Sequence, residues 1–216
     1  MLPTLNQSLG LPEVSGRFLT ADWPAPPQVR TLISTRQGGI SQGVFAGLNV
    51  GAHVGDDAAA VAHNRALVEQ QAGRALAYLN QTHSTTVVAA ADALAALEAG
   101  EPLNADASVG SDGAAACAVM TADCLPVLFC DRAGSTVAAA HAGWRGLAGG
   151  VLQNTVAAMK VPPLEIMAYL GPAIGADAFE VGQDVWDAFC LPMPRAEVAF
   201  TDIGAGKYLA DIYALA

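Results

Sequence analysis

The sequence predicts a protein of the α/β class, in which strands and helices share one core. Its 216 residues suffice for a single sizeable core and do not require two. Hydrophobic residues account for 53% of the chain and charged residues for 14%, a balance that excludes a disordered or low-complexity protein. Short apolar runs bounded by turn-forming residues alternate with segments of helical periodicity. We therefore expect one domain that contains both strands and helices.

Charge and hydropathy limit the partners and the compartment. The formal net charge is −10, and the only lysines are Lys160 and Lys207, so no basic surface is expected that could neutralise a nucleic-acid backbone. No stretch has the uninterrupted apolar length of a membrane-spanning helix, and the first residues lack the basic and apolar parts of a secretory signal. The four cysteines show no C-x-x-C spacing and are expected to be free thiols. These features predict a cytoplasmic protein with no nucleic-acid or membrane partner.

The predicted elements lie on both sides of a central hairpin. Residues 1–27 end in a proline-rich stretch and are expected to form an irregular lead-in. Residues 57–71 have a helical pattern, with Asp56 or Asp57 as N-cap and Gly73 just beyond the end. The other predicted elements are strands over residues 29–34, 75–79, 86–90, 114–120 and 165–170, a glycine-rich loop over 35–43, and helices over 91–100, 151–160, 181–190 and 207–216.

The central hairpin predicts a site. Two apolar runs flank the turn sequence of residues 131–134. Cys124 precedes the first run and His141 follows the second, and in an antiparallel hairpin these positions lie at the same end. His83 stands just ahead of another apolar run, that of residues 86–90. We expect His83, Cys124 and His141 to converge.

Two imidazoles and one thiolate match the ligand chemistry of zinc, and three protein ligands leave the fourth position open, as in catalytic zinc sites. The intervals between His83, Cys124 and His141 are not those of a zinc finger or ribbon, so a separate structural role for each residue stays open. Copper is disfavoured. A blue-copper centre uses two His and one Cys, but a multi-copper cluster needs many more histidines than the four in this chain.

Three arginines are candidates for binding an anion in this acidic protein. Arg36 lies in the glycine-rich loop, Arg65 lies on the helix of residues 57–71, and Arg145 lies where a glycine-rich turn leads into a helix. Each has a structural alternative. The loop with Arg36 can be a plain turn, Arg65 can pair with Glu69 one helical turn on, and the stretch with Arg145 can be a tight connection in which Trp144 packs.

The motifs of the chain also resemble a known family, the YfiH-type laccase-domain family. The similarity covers residues 30 to 216, in order. The residues that carry it are Thr35-Arg36-x-Gly38-Gly39-x-Ser41-x-Gly43, Asn49-Val50-Gly51, Val54-Gly55-Asp56, Asn64-Arg65, Gln81-x-His83-Ser84, Thr121-Ala122-Asp123-Cys124-x-Pro126-Val127, His141-Ala142-Gly143-Trp144-Arg145-Gly146 and Gly171-Pro172-Ala173-Ile174-Gly175. Members were long labelled polyphenol oxidases and are now described as zinc-dependent purine nucleoside enzymes.

The resemblance implies a single four-layer α-β-β-α catalytic domain with mixed β-sheets, over residues 28–216. It implies zinc on His83, Cys124 and His141, and purine nucleoside and phosphate as substrates. The implied reactions are phosphorolysis of adenosine, inosine and methylthioadenosine, and deamination of adenosine. Family members continue beyond the helix that matches residues 209–215 into a segment with a Cys-Thr pair and a Tyr-Arg-Arg stretch. That segment is missing here, so its substrate contacts are lost or the sequence is a piece of a longer one.

Residue roles follow from this resemblance. Zinc would activate water for attack on C6 of adenine, and Arg36, Arg65 and Arg145 are the candidates for holding phosphate. The H-x-E and P-C-x-x-C signature of nucleobase deaminases is absent, which leaves Asp123 or a histidine as the catalytic acid/base.

Two alternatives remain open. Cys124 and His141 could form the nucleophile and base of a hydrolase that acts on amide bonds, as in cell-wall peptide editing. The chain could also be a zinc-stabilised binding module without turnover.

Overall fold

The computed structural model of the protein describes residues 16–111 and 113–216. The strands are β1 (Phe18–Leu19), β2 (Ile33–Ser34), β3 (Leu76–Ala77), β4 (Val87–Ala89), β5 (Ala107–Gly110), β6 (Ala116–Cys117), β7 (Leu125–Asp131), β8 (Val137–Ala142), β9 (Ile166–Leu170), β10 (Glu180–Gly182), β11 (Phe200–Gly204) and β12 (Lys207–Ala210). The α-helices are α1 (Ala58–Ala72), α2 (Ala90–Glu98), α3 (Trp144–Gly149), α4 (Val151–Met159), α5 (Gln183–Cys190) and α6 (Ile212–Leu215).

The largest sheet is mixed and has the strand order β4-β5-β8-β7-β9. β4 and β5 are parallel, and the other neighbours are antiparallel. The β7–β8 hairpin lies within this sheet, as predicted from the two apolar runs. Three smaller sheets have the orders β10-β12-β11, β3-β6 and β1-β2. The α/β class with mixed β-structure is therefore confirmed.

The sheets and helices stack in the expected α-β-β-α order. Val151 and Met159 of α4 pack with Val127 and Phe129 of β7 in the main hydrophobic core, on one face of the five-stranded sheet. β6 of the small parallel sheet contacts β5 and β8. The outer helix α1 packs through Val68 on the β3 side of that small sheet. Among the described residues, no helix is both long and apolar enough to cross a membrane.

Helix α1 has the predicted ends. The Asp57 carboxylate accepts a hydrogen bond from the backbone N–H of Ala60 at 2.8 Å, and Gly73 ends the helix in the left-handed conformation at φ 67°. Asp56 has a different role, because it accepts hydrogen bonds from the Ser41 hydroxyl and the Asn49 amide. Asp57 is therefore the N-cap.

The C-terminal part of the chain corrects one prediction. A helix over residues 207–216 is wrong for its first half, because Lys207–Ala210 is strand β12 and pairs with both β10 and β11. A turn with positive φ at Gly204, Ala205 and Gly206 reverses the chain just before it. Only Ile212–Leu215 is helical, and its N-terminal amides donate to the Asp211 carboxylate. The turn brings β12 alongside β11, and this pairing stabilises a strand in residues whose composition alone indicates a helix.

Several predicted strands are shorter in the structure. The strand expected over residues 29–34 is limited to Ile33–Ser34, which pairs with Phe18–Leu19 of the expected lead-in. Residues 16–27 of the lead-in thus contain a short strand, and residues 1–15 lie outside the described residues. The strand expected over residues 114–120 is reduced to Ala116–Cys117.

Candidate functional site

The β7–β8 hairpin places two of the predicted site residues, Cys124 and His141, at one end of the sheet. Leu125 pairs with Ala142, and Pro126 pairs with His141. Cys124 is the residue just before β7, and His141 is the penultimate residue of β8. The two side chains therefore lie side by side, as predicted from the antiparallel pairing.

His83 completes the cluster from a different part of the chain. It lies in the loop between β3 and β4, and its backbone is left-handed at φ 58°. Its Nε2 is 3.7 Å from Cys124 Sγ, and its ring centroid is 4.8 Å from that of His141. The ligand atoms of the three residues lie within 4.8 Å of one another. The structure thus brings His83, Cys124 and His141 together.

A buried carboxylate supports the cluster, and sequence reasoning missed it. Asp106 is fully buried and accepts a hydrogen bond from Nδ1 of His141 at 2.8 Å. It also accepts from the backbone amides of Thr82, His83 and Ser84. Burial alone would raise the pKa of this carboxyl, but the hydrogen bonds from His141 and Ser84 lower it well below its usual range. The only sequence signal was an acid among alanines directly before the buried strand β5.

The two imidazoles differ in protonation because their surroundings differ. Burial disfavours the charged form of His141, but hydrogen bonds with Asp106 and Cys124 outweigh it and raise the pKa of His141 to about 9. The pKa of His83 is lowered, first by burial and then by the charge of His141. In the metal-free protein, the surroundings therefore favour the neutral form of His83 and the charged form of His141.

The residues of the cluster fit a metal ion. Zinc–nitrogen and zinc–sulfur bonds of about 2.0 and 2.3 Å in a tetrahedral site place N and S about 3.5 Å apart, close to the 3.7 Å between His83 Nε2 and Cys124 Sγ. Asp106 holds Nδ1 of His141, so Nε2 is the ring atom left to bind a metal, and binding there releases the proton that this atom carries in the charged ring. Thiolate and imidazole ligands suit zinc and copper better than magnesium or calcium.

Gly143 keeps the space around the cluster open. A Cβ atom at Gly143 would lie 2.5 Å from Cδ2 of His83 and 3.0 Å from Cys124 Sγ. Because these distances are shorter than van der Waals contact, any side chain at this position would displace two of the three candidate ligands. Only glycine therefore fits here.

Replacing Gly143 by alanine is expected to weaken metal binding roughly tenfold or more, because the added methyl group pushes the side chains of His83 and Cys124 away from their positions in the cluster. Zinc affinity measured by competition with a chromophoric chelator checks this. Gly175→Ala is the matched control, because a Cβ there meets no atom within 4 Å. An unchanged zinc affinity in Gly143→Ala would contradict the geometry given for the cluster.

The cluster lies in a groove of about 1540 Å³, lined by His83, Cys124 and His141 and by residues of the 20–36, 44–54 and 115–124 segments, among others. This volume exceeds that of a typical small-molecule site. Arg36 lines the groove, whereas Arg65 and Arg145 are not among its lining residues. Asp123 also lines it; the residue is exposed and has a strained backbone at φ 148°.

The three arginines have different surroundings. Arg36 is exposed, and its guanidinium donates to the carbonyl of Ala46. Arg145 is exposed and stacks on Trp144 at 4.2 Å, and its charge contributes to lowering the pKa of His83. Arg145 is therefore the arginine for which the structure gives an electrostatic link to the cluster.

Arg65 does not form the predicted pair with Glu69. Its Nε donates to the carbonyl of Val50 at 2.8 Å, and its guanidinium lies 4.1 Å from the ring centroid of Tyr78. The Glu69 carboxylate instead accepts from the backbone of Leu76. The surface ion pair was the wrong interpretation, because the aromatic ring and a carbonyl draw the guanidinium toward the core.

Residues 30–216 match the model of the family described as multi-copper polyphenol oxidoreductase laccase. The chain belongs to this laccase family. It is 50% identical over 200 residues to a protein named purine nucleoside phosphorylase from Pseudomonas aeruginosa, with 92% of this chain and 80% of the relative covered. It is 47% identical over 206 residues to the purine nucleoside phosphorylase YfiH of Escherichia coli, with 93% and 81% covered.

Solved structures share the fold of this laccase-family chain. A protein from Neisseria meningitidis superposes with a TM-score of 0.88 at 70% identity, over 92% of this chain and 80% of that one. YlmD from Geobacillus stearothermophilus superposes with a TM-score of 0.84 at 26% identity, over 95% and 81%. The resemblance given by the motifs is therefore confirmed.

The description of the laccase family names several coppers, and the described residues do not match it. Within residues 16–111 and 113–216, one group of three or more His, Cys, Asp or Glu residues could hold a metal. It consists of His83, Cys124 and His141. The other two histidines, His53 and His63, are exposed and lie outside this group. One three-residue cluster provides too few ligands for a multi-copper centre.

Proposed function

We propose that the protein is a zinc-dependent purine nucleoside phosphorylase that also deaminates adenosine, with residues 28–216 as its catalytic domain. The observation that carries the proposal is the convergence of His83, Cys124 and His141 in a groove large enough for nucleoside and phosphate. Relatives that are 47% and 50% identical carry the name purine nucleoside phosphorylase. Adenosine, inosine and methylthioadenosine are the proposed substrates.

Each proposed reaction conserves its atoms. In phosphorolysis, a phosphate oxygen bonds to C1′ of the ribose, the bond from C1′ to N9 of the purine breaks, and the base leaves with ribose 1-phosphate as the other product. In deamination, water adds to C6 of adenosine and ammonia leaves, which gives inosine. The two reactions share the nucleoside but use different nucleophiles, so they can be separated by variants that affect only one of them.

His83, Cys124 and His141 would hold zinc, which when bound supplies Lewis-acid activation of water or of a substrate oxygen. Asp106 keeps Nδ1 of His141 occupied, so that the other ring nitrogen faces the cluster. The exposed Asp123, next to Cys124 in the groove, is the proposed acid/base. Arg36, Arg65 and Arg145 are the proposed phosphate-binding residues; Arg36 lines the groove, and Arg145 is the one whose charge reaches His83.

Zinc is proposed over copper because the donor set of one thiolate and two imidazoles, with one position left open, is that of catalytic zinc sites. Elemental analysis of the purified protein tests this directly. We expect about one zinc per chain. Copper at higher occupancy than zinc would overturn the choice of metal.

Incubating the protein with adenosine and phosphate tests the proposed function. Ribose 1-phosphate reports phosphorolysis, and ammonia reports deamination, together with inosine and the hypoxanthine that phosphorolysis of inosine gives. We expect both sets of products. If no nucleoside is consumed by the zinc-loaded protein, the enzyme assignment is wrong and a binding role for the metal centre takes its place.

Replacing Arg145 by alanine is expected to raise the KM for phosphate about tenfold or more, because a charged hydrogen bond to an anion contributes roughly 1.5 to 3 kcal/mol. Deamination should change less, since it uses water in place of phosphate. Lysine at this position should restore only part of the effect, because it lacks the bidentate geometry of arginine. Parallel assays of ribose 1-phosphate and inosine from adenosine measure both rates.

Arg132→Ala is the control for Arg145→Ala. Arg132 is exposed in the turn at the opposite end of the hairpin from Cys124 and His141, so neither rate should change. An equal loss of both products in Arg145→Ala would mean that Arg145 positions the nucleoside or the fold and that phosphate is held elsewhere.

A second candidate function rests on the order of three side chains. Asp106 contacts His141, and His141 in turn interacts with Cys124. In a cysteine hydrolase, an acid in the position of Asp106 orients the base, and the base activates the nucleophilic thiol. Such an enzyme would act on amide bonds. Rapid labelling of Cys124 by iodoacetamide in zinc-loaded protein, together with cleavage of a cell-wall peptide, would favour it. The imidazole of His83 beside the same thiol favours the metal site.

A further inference from the structure

We propose that Asp106 is a positioning residue that fixes the positions of the two imidazoles of the cluster relative to each other. The inference rests on the proposed metal centre and does not depend on the nucleoside as substrate. Asp106 is fully buried and is not among the residues lining the groove, so it cannot touch a substrate. It acts through His83 and His141.

One carboxylate oxygen links the two histidines directly. Oδ1 of Asp106 accepts from Nδ1 of His141 at 2.8 Å and from the backbone amide of His83 at 3.0 Å. The ring of one candidate ligand and the backbone of the other are therefore held by the same atom. A shift of Asp106 would move His83 and His141 relative to each other.

The second oxygen orders the loop that carries His83. Oδ2 accepts from the amides of Thr82 and Ser84, at 3.1 and 2.6 Å, and from the Ser84 hydroxyl at 2.8 Å. Three successive amides of the loop thus converge on one carboxylate, an arrangement that favours a negative charge. A non-glycine residue with positive φ costs of order 1–3 kcal/mol, and these hydrogen bonds offset that cost at His83, where φ is 58°.

Asp106 is itself held by the sheet. Its backbone carbonyl accepts from the amide of His141 at 2.7 Å, and its amide donates to the carbonyl of Thr86 at 3.1 Å. It directly precedes β5, which lies between β4 and β8. A group fixed at both its backbone and its carboxylate can transmit the rigidity of the sheet to the exposed His83. Outer partners of this kind orient metal-binding histidines and set their tautomer.

The chain offers a matched control in Asp131. This carboxylate is also buried, and it accepts three hydrogen bonds from its own loop, from the amides of Ser135 and Thr136 and from the Ser135 hydroxyl. It lies at the opposite end of the β7–β8 hairpin from the cluster. Asp131→Asn should therefore weaken the hydrogen bonds of a buried carboxylate, as Asp106→Asn does, without affecting the metal.

The experiment compares wild type, Asp106→Asn and Asp131→Asn. Zinc affinity is measured by competition with a chromophoric chelator, and hydrogen exchange is measured at the amides of residues 82–84 and 135–136 in the metal-free proteins. We expect Asp106→Asn to bind zinc 10 to 100 times more weakly and to exchange faster at residues 82–84. Asp131→Asn should exchange faster at residues 135–136 and bind zinc like the wild type.

Unchanged zinc affinity in Asp106→Asn, or an equal loss in Asp131→Asn, would overturn the positioning role. If Asp106→Asn does not fold, Ser84→Ala takes its place, because it removes one hydrogen bond to Oδ2 and should weaken zinc binding in the same direction by a smaller factor. A wild-type protein that binds zinc and consumes no nucleoside would overturn the proposed function and leave this inference standing. Failure of the wild type to bind zinc would overturn both.

Discussion

Replacing His83, Cys124 or His141 by alanine is expected to reduce phosphorolysis and deamination below about 1% of the wild-type rates. The physical reason is that loss of even an outer partner of a metal ligand costs 10–100-fold, and loss of a ligand itself costs more. Steady-state rates of ribose 1-phosphate and inosine formation measure the effect, and zinc content measured on the same samples shows whether the metal is lost with the activity.

The three variants should differ in stability. His83 is exposed and Cys124 is half-buried, so their alanine variants should stay folded. His141 is buried and hydrogen-bonded to Asp106, so removing its ring leaves part of a buried carboxylate unsatisfied and should lower the free energy of unfolding as well. His53→Ala is the control, because His53 is exposed and lines the same groove. Wild-type activity in any of the three ligand variants would contradict the zinc assignment.

Replacing Asn64 by alanine is expected to lower the free energy of unfolding by roughly 2–4 kcal/mol. Asn64 lies fully buried on α1 and ties the glycine-rich loop to this helix. Its side-chain oxygen accepts from the amide of Ile40, and its NH₂ group donates to the Ser41 hydroxyl and to the carbonyls of Gly47 and Asn49. Alanine would leave buried partners unsatisfied, and unfolding in urea measures the loss.

The neighbouring His63 provides the control for Asn64. It lies on the same helix and is exposed, so His63→Ala should change the free energy of unfolding by less than about 0.5 kcal/mol. Because Arg36 belongs to the loop that Asn64 holds, Asn64→Ala should also raise the KM for phosphate if Arg36 binds this anion. A similar stability for both variants would show that the loop does not depend on Asn64.

Local sequence signals predicted the parts of the site that depend on one hairpin. Apolar runs on either side of a turn defined β7 and β8, and antiparallel pairing then placed Cys124 beside His141. Helix α1 was equally predictable, because its N-cap at Asp57 and its C-terminal Gly73 are local features. These predictions hold because each depends on interactions between residues close in sequence.

Contacts between residues distant in sequence were not predictable in this way. Asp106 lies 35 residues from His141, and nothing in the pattern around it indicates that its carboxylate is buried against a histidine. Arg65 has a helical neighbour of opposite charge, but the ring of Tyr78 and the carbonyl of Val50 hold its guanidinium instead. The requirement for glycine at Gly143 follows only from the positions of His83 and Cys124 in space.

The most direct test of the central claim is a zinc titration of metal-free protein, with ribose 1-phosphate formation from adenosine and phosphate measured at each step. The account predicts no activity without metal, a linear rise as zinc is added, and saturation at about one zinc per chain. Full activity in the metal-free protein, or activity restored by copper and not by zinc, would contradict the proposal that His83, Cys124 and His141 form a catalytic zinc site.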